Sequence, residues 1–394
     1  MAAPESLRLL DLCAEYSVDC YLKGMSARLP VDALPTPVVP DDIPSAFSGE
    51  LRVVAQRIIE AASNRVRVHW SAKTYSAGLG TQSGGDDEFE DTLRARFPPL
   101  DMPTPLDSPF TVVDVDDDVV LWSLPDMLLP ERQAAIATSM GLAADSIAAH
   151  PPGPDNPGSK SRWRNSNYLY AQNSNLSFGR GMMTLSPGWL AQGNQGLNST
   201  LHVSSDLGAP PGRQDNAAQA SAQTWVAANM ETGILLSVAL AITHPAQYRE
   251  TRKALGYLAT LPDFARHMET WTFAFNVVTL ICNRRTPAHR DRASGGRDFY
   301  DLLLTLGGGP RTMLTLPGLG IRIRYDSGTV ALFSGHDHLH EVSSFLEERV
   351  CIACYARPAA ITWLNANHPP PPAGRLTLPE GWWDLLCRGD EDNE

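Results

Sequence analysis

Two hydrophobic periods divide the chain. Apolar positions recur at helical spacing over Leu51–Ala62 and again over Asn216–Ile242. The second stretch is Ala-rich, interrupted by Gly233 and stopped near His244-Pro245, and a further helix is expected over Pro245–Leu261. Beyond that the period shortens. "WTFAFNVVTLIC" (Trp271–Cys282), "FYDLLLTLG" (Phe299–Gly307) and "RVCIACYARP" (Arg349–Pro358) are β-branched and aromatic, as buried strands are. "GIRIRYDSGTVALF" (Gly320–Phe333) reads as two strands joined by a tight turn at Asp326-Ser327-Gly328. Short strands packed this densely after helices predict an α+β fold, a β-sandwich or jelly roll braced by helices.

The rest of the chain is organised around that core. Residues 1–157 mix helical patterns with strand-like pieces ("HW", "VVLWSL") and acidic turns, and are expected to pack on or extend the core. Residues 158–215 are rich in Asn, Gly, Pro and Arg and read as a long loop region, of the kind that carries function. Residues 216–365 hold the helices and the β core, and 366–394 a Pro-rich connector with an acidic end. No run of eighteen apolar residues predicts a membrane span, and the first sixteen residues lack the basic and apolar regions of a secretory signal. The six cysteines are scattered, as suits a reducing compartment. Cys351 and Cys354 would point to opposite faces of a strand and so share no zinc.

Charge changes the picture of partners. The formal net charge is −12, yet residues 1–157 carry 11 Lys+Arg against 24 Asp+Glu, and the remainder is nearly balanced. No acid occurs from Asn156 to Ser205. That stretch interleaves Lys160, Arg162, Arg164 and Arg180 with Trp163, Tyr168, Tyr170 and Phe178, and Arg290 and Arg292 lie further on. Cation and aromatic interleaving suits a splayed nucleic-acid strand, so an acidic chain can still take a DNA partner.

The candidate chemistry lies in "TPAHRDRASGGRDFYDLLLTLGGG" and "FSGHDHLHEVSSFLEER". His289 and Asp291 flank Arg290, so an extended chain presents both to one face. They make two of the three ligands of a two-histidine, one-carboxylate triad, which leaves positions open on a non-haem Fe(II). The third ligand is His336, His338 or His340, which share one strand face by parity. Context favours His340, which precedes an inward Val342 and lies nine residues before Arg349. Arg349, with the mostly small same-face neighbours Cys351, Ala353 and Tyr355, could clamp the far carboxylate of a metal-bound 2-oxo acid. Arg357, on the same face, is the second candidate for that role.

"AHRDRASGGRDFYDLLLTLGG" with "GTVALFSGHDHLHEV" and "ERVCIACYARP" resembles the TET/JBP family of 2-oxoglutarate- and Fe(II)-dependent dioxygenases, and most of all its compact fungal, mushroom-type members. The resemblance is specific over about residues 270–358. It implies a double-stranded β-helix core, with O₂ and 2-oxoglutarate as co-substrates. The implied reaction is oxidation of the methyl group of 5-methylcytosine in duplex DNA to hydroxymethyl, formyl and carboxyl stages. His289, Asp291 and His340 match the iron-ligand positions and Arg349 the 2-oxoglutarate arginine; Asn283 and Arg285 are candidates for holding the co-substrate. A methyl inside a duplex cannot reach the iron, so the base must flip out. Asp337 is a candidate to read the exocyclic amine of that base, which leaves N6-methyladenine open as a second substrate, demethylated by the same chemistry. Other readings are an oxygenase acting on RNA, protein or a small molecule, a non-catalytic DNA-binding module, and a zinc hydrolase. A nuclear location is expected from the substrate alone, and no protein partner is indicated.

Overall fold

The computed structural model describes residues 4–27, 37–80, 87–102, 104–155, 163–173, 176–190, 199–291 and 298–367. Eight strands form its centre: β5 (Val277–Cys282), β6 (Thr286–His289), β7 (Asp301–Gly307), β8 (Met313–Leu316), β9 (Ile321–Arg324), β10 (Val330–Phe333), β11 (His340–Val342) and β12 (Arg349–Tyr355). They divide between two sheets. One holds β10-β7-β12-β5 in that order, the other β6-β11-β8-β9, and every pairing among them is antiparallel. The chain crosses repeatedly from one sheet to the other, which is the winding of a double-stranded β-helix.

The larger sheet is extended at both edges. β4 (Gly181–Leu185) pairs with β5, and β3 (Val119–Leu124) pairs with β10, followed by β2 (Phe110–Val113) and β1 (Arg65–Arg67). The N-terminal region thus enters the same sheet as the core strands. The outer face of this sheet carries Leu302, Leu304, Leu306, Val350, Ile352 and Cys354, all buried against helices. Those helices include α1 (Glu5–Ala27), α2 (Ser45–Ser63), α7 (Ala217–Ala228), α8 (Met230–Thr243) and α9 (Pro245–Leu258). Between the sheets a second cluster, including Leu314, Leu316, Ile321, Ile323 and Phe333, fills one end with Trp70, Tyr75 and Phe97 from the N-terminal region. Cys351 faces inward and Cys354 outward, as a two-residue period requires.

Two sequence expectations are corrected here. The strands on either side of Asp326-Ser327-Gly328 do not pair with each other: β9 belongs to the small sheet and β10 to the large one, so the turn is a crossover. The true hairpin is β8–β9, closed by Gly320 at φ +72°, where an added Cβ would stand 1.9 Å from Leu100 O. The long helix over 216–242 is two helices, broken at Asn229 rather than at Gly233. Asn216 and Gln219 cap the first reciprocally. Asn229 ends it, its side-chain amide donating to Trp225 O at 2.9 Å. Gly233 lies inside the second helix because Thr272 Oγ1 sits 2.3 Å from where a Cβ would be.

Candidate metal centre and co-substrate chamber

The register of one short pairing builds the site. β6 and β11 run antiparallel with His289 directly opposite His340, and their rings stand 4.2 Å apart between centroids. Asp291 follows β6, held by its own N–H donating to Gly335 O at 2.8 Å. Ligand atoms of His289, Asp291 and His340 all lie within 4.8 Å of one another. Both rings are oriented from behind: Nδ1 of His289 donates to Pro287 O (2.9 Å) and Nδ1 of His340 to His338 O (3.0 Å). A carbonyl can only accept, so each Nδ1 carries the hydrogen and each Nε2 turns a lone pair inward. These Nε2 atoms lie 3.5 and 3.7 Å from the two Asp291 oxygens.

Electrostatics prepare the same donors. Burial, then the neighbouring His289, pushes His340 down to about 3, so it is neutral at physiological pH. Burial works against ionising Asp291, but the His289 and His340 rings and the Arg164 guanidinium beside it hold it well below the usual carboxylate range. Two imidazoles and one carboxylate at this spacing suit a divalent non-haem iron with positions left open.

Behind the triad lies an inner wall that is not sealed. Inward residues Met182, Ile281, Leu303 and Tyr355 are only partly buried, so the cleft is open between the sheets. At its deep end Arg349 is 1% exposed. Its Nε donates to Thr305 Oγ1 (3.1 Å) and Nη1 to Arg284 O (3.4 Å), and its head lies 5.2 Å over the Tyr325 ring. Nη2 is buried without a partner, and among the described residues no carboxylate pairs with this guanidinium. A buried, unpaired fork of donors fits an incoming carboxylate.

Several candidate residues stand elsewhere than expected. Arg290 was expected at a DNA surface, but alternation along the chain turns it away from its two neighbours and into the protein. It is 5% exposed and bonds both oxygens of Glu90, the Tyr75 hydroxyl (3.1 Å) and Asp337 O (2.9 Å). Asn283 holds backbone, not co-substrate. At φ +54° its amide donates to Gly179 O (2.7 Å) and its oxygen accepts Arg349 N–H (2.8 Å), which fixes the start of β12. Arg285 is exposed and lies over Tyr168, 5.7 Å from the ring. Arg357 stacks on Trp189 (3.7 Å) beyond the other end of β12, eight residues or about 26 Å along the chain from Arg349. It therefore belongs to no common site with it.

Trp163 and Arg164 reach the metal position itself. The Trp163 ring meets His289 edge-on at 4.9 Å, and Arg164 donates to Asp291 Oδ1 at 2.7 Å. Arg180 is half-buried, its Nη1 facing Ala171 O (3.3 Å) and Asn167 Oδ1 (3.5 Å). Asp337 lies deeper than a residue at the mouth. It is 3% exposed, with Oδ1 accepting from His336 Nδ1 at 2.8 Å. Burial opposes its ionisation, but His336 holds its pKa below the ordinary value. Lys160, Arg162 and Arg292 lie outside the described residues. The sequence reading missed Tyr75 and Glu90, because no spacing relates them to the triad some 200 residues away.

Strand winding, donor set and the buried arginine together define the class of 2-oxo-acid-dependent non-haem iron oxygenases. The comparisons narrow it: residues 213–358 match the model of the Tet_JBP family, described as the oxygenase domain of the 2OGFeDO superfamily. The chain is thus an oxygenase of the class that uses Fe(II), 2-oxoglutarate and O₂, with residues 213–358 similar to the TET/JBP oxygenase domain. No curated protein matches the chain. A solved structure described as "NgTET1 in complex with 5mC DNA" aligns at 13% identity and TM-score 0.40, over 74% of this chain and 89% of that one.

Proposed function

We propose that this enzyme oxidises the methyl group of 5-methylcytosine in duplex DNA, through hydroxymethyl, formyl and carboxyl stages, on a base flipped into the cleft. One observation carries the reading. Trp163 and Arg164, from the stretch without acids, stand directly on His289 and Asp291, so a cation–aromatic surface begins at the reacting centre. Arg164 packs on Trp163 at 4.6 Å, and exposed Arg285 with Tyr168 repeats the pairing further out. Aromatic faces beside cations suit extruded bases and their phosphates, and offset the roughly few kcal/mol that flipping costs.

His289, Asp291 and His340 would hold Fe(II), and Arg349 the far carboxylate of 2-oxoglutarate. When bound, the iron supplies the oxidation: O₂ is spent on the 2-oxo acid and the methyl C–H, with succinate and CO₂ released. The chain's own residues set orientation and tautomer, and the dry cluster on Phe333, which meets His340 at 5.2 Å, excludes water from one side. Asp337, kept ionised beside His336, is proposed to read the exocyclic amine of the base. Both 5-methylcytosine and N6-methyladenine offer such an N–H, so the second base stays as a substrate of the same site.

The test uses purified protein, Fe(II), ascorbate and 2-oxoglutarate with three duplexes, carrying 5-methylcytosine, N6-methyladenine or no modification. Nucleosides are read by mass spectrometry. Oxidised cytosine that is absent with His340→Ala is expected. If 2-oxoglutarate is consumed while neither base changes, the DNA reading fails and RNA, protein or a small molecule takes its place.

A further inference from the structure

Asp337 sits in the turn Ser334–Leu339, whose two ends are fixed at the metal ligands. Gly335 O accepts Asp291 N–H at 2.8 Å, and His340 follows the turn directly. The backbone of Asp337 is held on both sides: Arg290 Nε donates to its carbonyl (2.9 Å), and its N–H donates to Ser334 Oγ (3.2 Å). The side chain is held as well. Oδ1 lies 2.8 Å from His336 Nδ1, and the hydroxyl of Ser76, in α3 (Ala72–Leu79), bonds the same carboxylate. The His336 side chain is 38% exposed and that of Asp337 4%, so the ring is the outer member of the pair.

One hydrogen lies between ring and carboxyl, and their basicities decide its place. An ordinary imidazole binds a proton near pH ~6.5 and an ordinary aspartate near ~3.9, so the hydrogen stays on Nδ1 and the carboxylate only accepts. A carboxylate has about four acceptor positions, so others remain beside those that meet His336 and Ser76. An amine N–H can use them, and a keto oxygen cannot. Thymine carries the same 5-methyl group as 5-methylcytosine but has a keto oxygen at C4 in place of the amine. Set against Asp337 it would bring two acceptors together with no hydrogen between them. A site built around such a bond rejects the wrong partner by roughly 10⁴-fold. We propose that the His336–Asp337 pair excludes thymine: Asp337, a pure acceptor, admits amino bases, and His336 is the positioning residue that fixes which oxygen faces the base. This rests on the reading of Asp337 as the group that meets the flipped base.

The experiment is a competition within one duplex that carries both 5-methylcytosine and thymine, with the full chain, Fe(II), ascorbate, 2-oxoglutarate and O₂. Oxidised cytosines are counted against 5-hydroxymethyluracil by mass spectrometry. Either product has the same balance: one oxygen of O₂ enters the methyl C–H and the other enters succinate as the 2-oxo acid loses CO₂. The product ratio does not depend on how much of a variant is folded. Wild type should favour the cytosine by about a thousandfold or more. Asp337→Asn should slow cytosine oxidation and lower the ratio by about a hundredfold or more. There His336 Nδ1–H keeps the amide oxygen and turns the amide nitrogen, a donor, toward O4 of thymine. His336→Ala alone should keep the preference, because both carboxylate oxygens accept, while raising KM for the methylated duplex about tenfold with kcat little changed. His336→Asn, which returns an N–H donor, should recover part of that KM. A wild-type ratio below about tenfold, Asp337→Asn that slows on cytosine without gaining thymine, or wild-type KM in His336→Ala would each overturn the proposal. Cytosine kinetics unchanged in Asp337→Asn would overturn the parent reading of Asp337 along with it.

Discussion

His338 and His340 are both buried and two residues apart, yet only His340 faces the other ligands. The chain from Ser334 to Leu339 is a turn, not a strand, so side-chain alternation does not apply there. His338 instead stacks on Tyr75 at 5.3 Å and leaves Nδ1 without a partner. His340→Ala should therefore lose divalent-metal affinity by at least tenfold in calorimetry, about 1.4 kcal/mol per factor of ten. His336→Ala should bind metal as wild type does, and a reversed order would move the third ligand. The H-x-D pair and the distant histidine were legible in the sequence because ligand chemistry restricts residue types. Side-chain parity could not choose among the three histidines; context favoured His340, and β6 and β11 in register set it opposite His289. Arg284 and Asn283 show the same limit. Adjacent in sequence, one points an unpaired charge inward and the other spends its whole side chain on backbone, a difference set by a single positive φ at Asn283.

At the scale of elements, the metal strand is held by parts of the chain outside the family match. Arg290, between two ligands, is clamped by Glu90 of α4 (Asp87–Arg96) and Tyr75 of α3 (Ala72–Leu79), and it also bonds Asp337 O in the turn that leads to His340. Glu90→Ala leaves Arg290 buried and unpaired, a loss of about 3–5 kcal/mol in comparable buried pairs. The expected result is a lower melting temperature together with weaker metal binding. Metal affinity equal to wild type in the folded fraction would show that the clamp does not reach the ligands. The acidic N-terminal third offered no motif for this role, because Glu90 acts through a partner 200 residues away. The strands β5, β7, β10 and β12 were legible from their apolar runs. β8 and β11 are four and three residues long and too short to carry a period.

Across the whole molecule, buried neutral histidines tie stability to pH. Burial pulls His244, His267 and His338 down to about 4, from an ordinary value of 6.5. The unfolded chain then binds protons in the window where the folded one does not. Stability from each is complete above pH 6.5 and is lost as pH falls towards 4, at up to roughly 1.4 kcal/mol per pH unit per group. Denaturant midpoints should be flat from pH 7 to 8 and fall steeply from 6 to 4.5, less steeply in His244→Gln. A midpoint unchanged down to pH 4.5 would contradict those burials. The same scale sets the charge pattern. Residues 1–157 carry 24 of the 44 acids, and the acid-free stretch from Asn156 to Ser205 brings Trp163 and Arg164 to the metal ligands, so duplex affinity should fall steeply with salt despite the net negative charge.

The most direct test of the whole account is a reaction under ¹⁸O₂ with a duplex carrying 5-methylcytosine, following succinate and nucleosides together by mass spectrometry. One succinate carrying one labelled oxygen for each oxidation step on the base, with neither product formed by His340→Ala, is the predicted result. Oxidised base without labelled succinate, or labelled succinate that His340→Ala still forms, would contradict it.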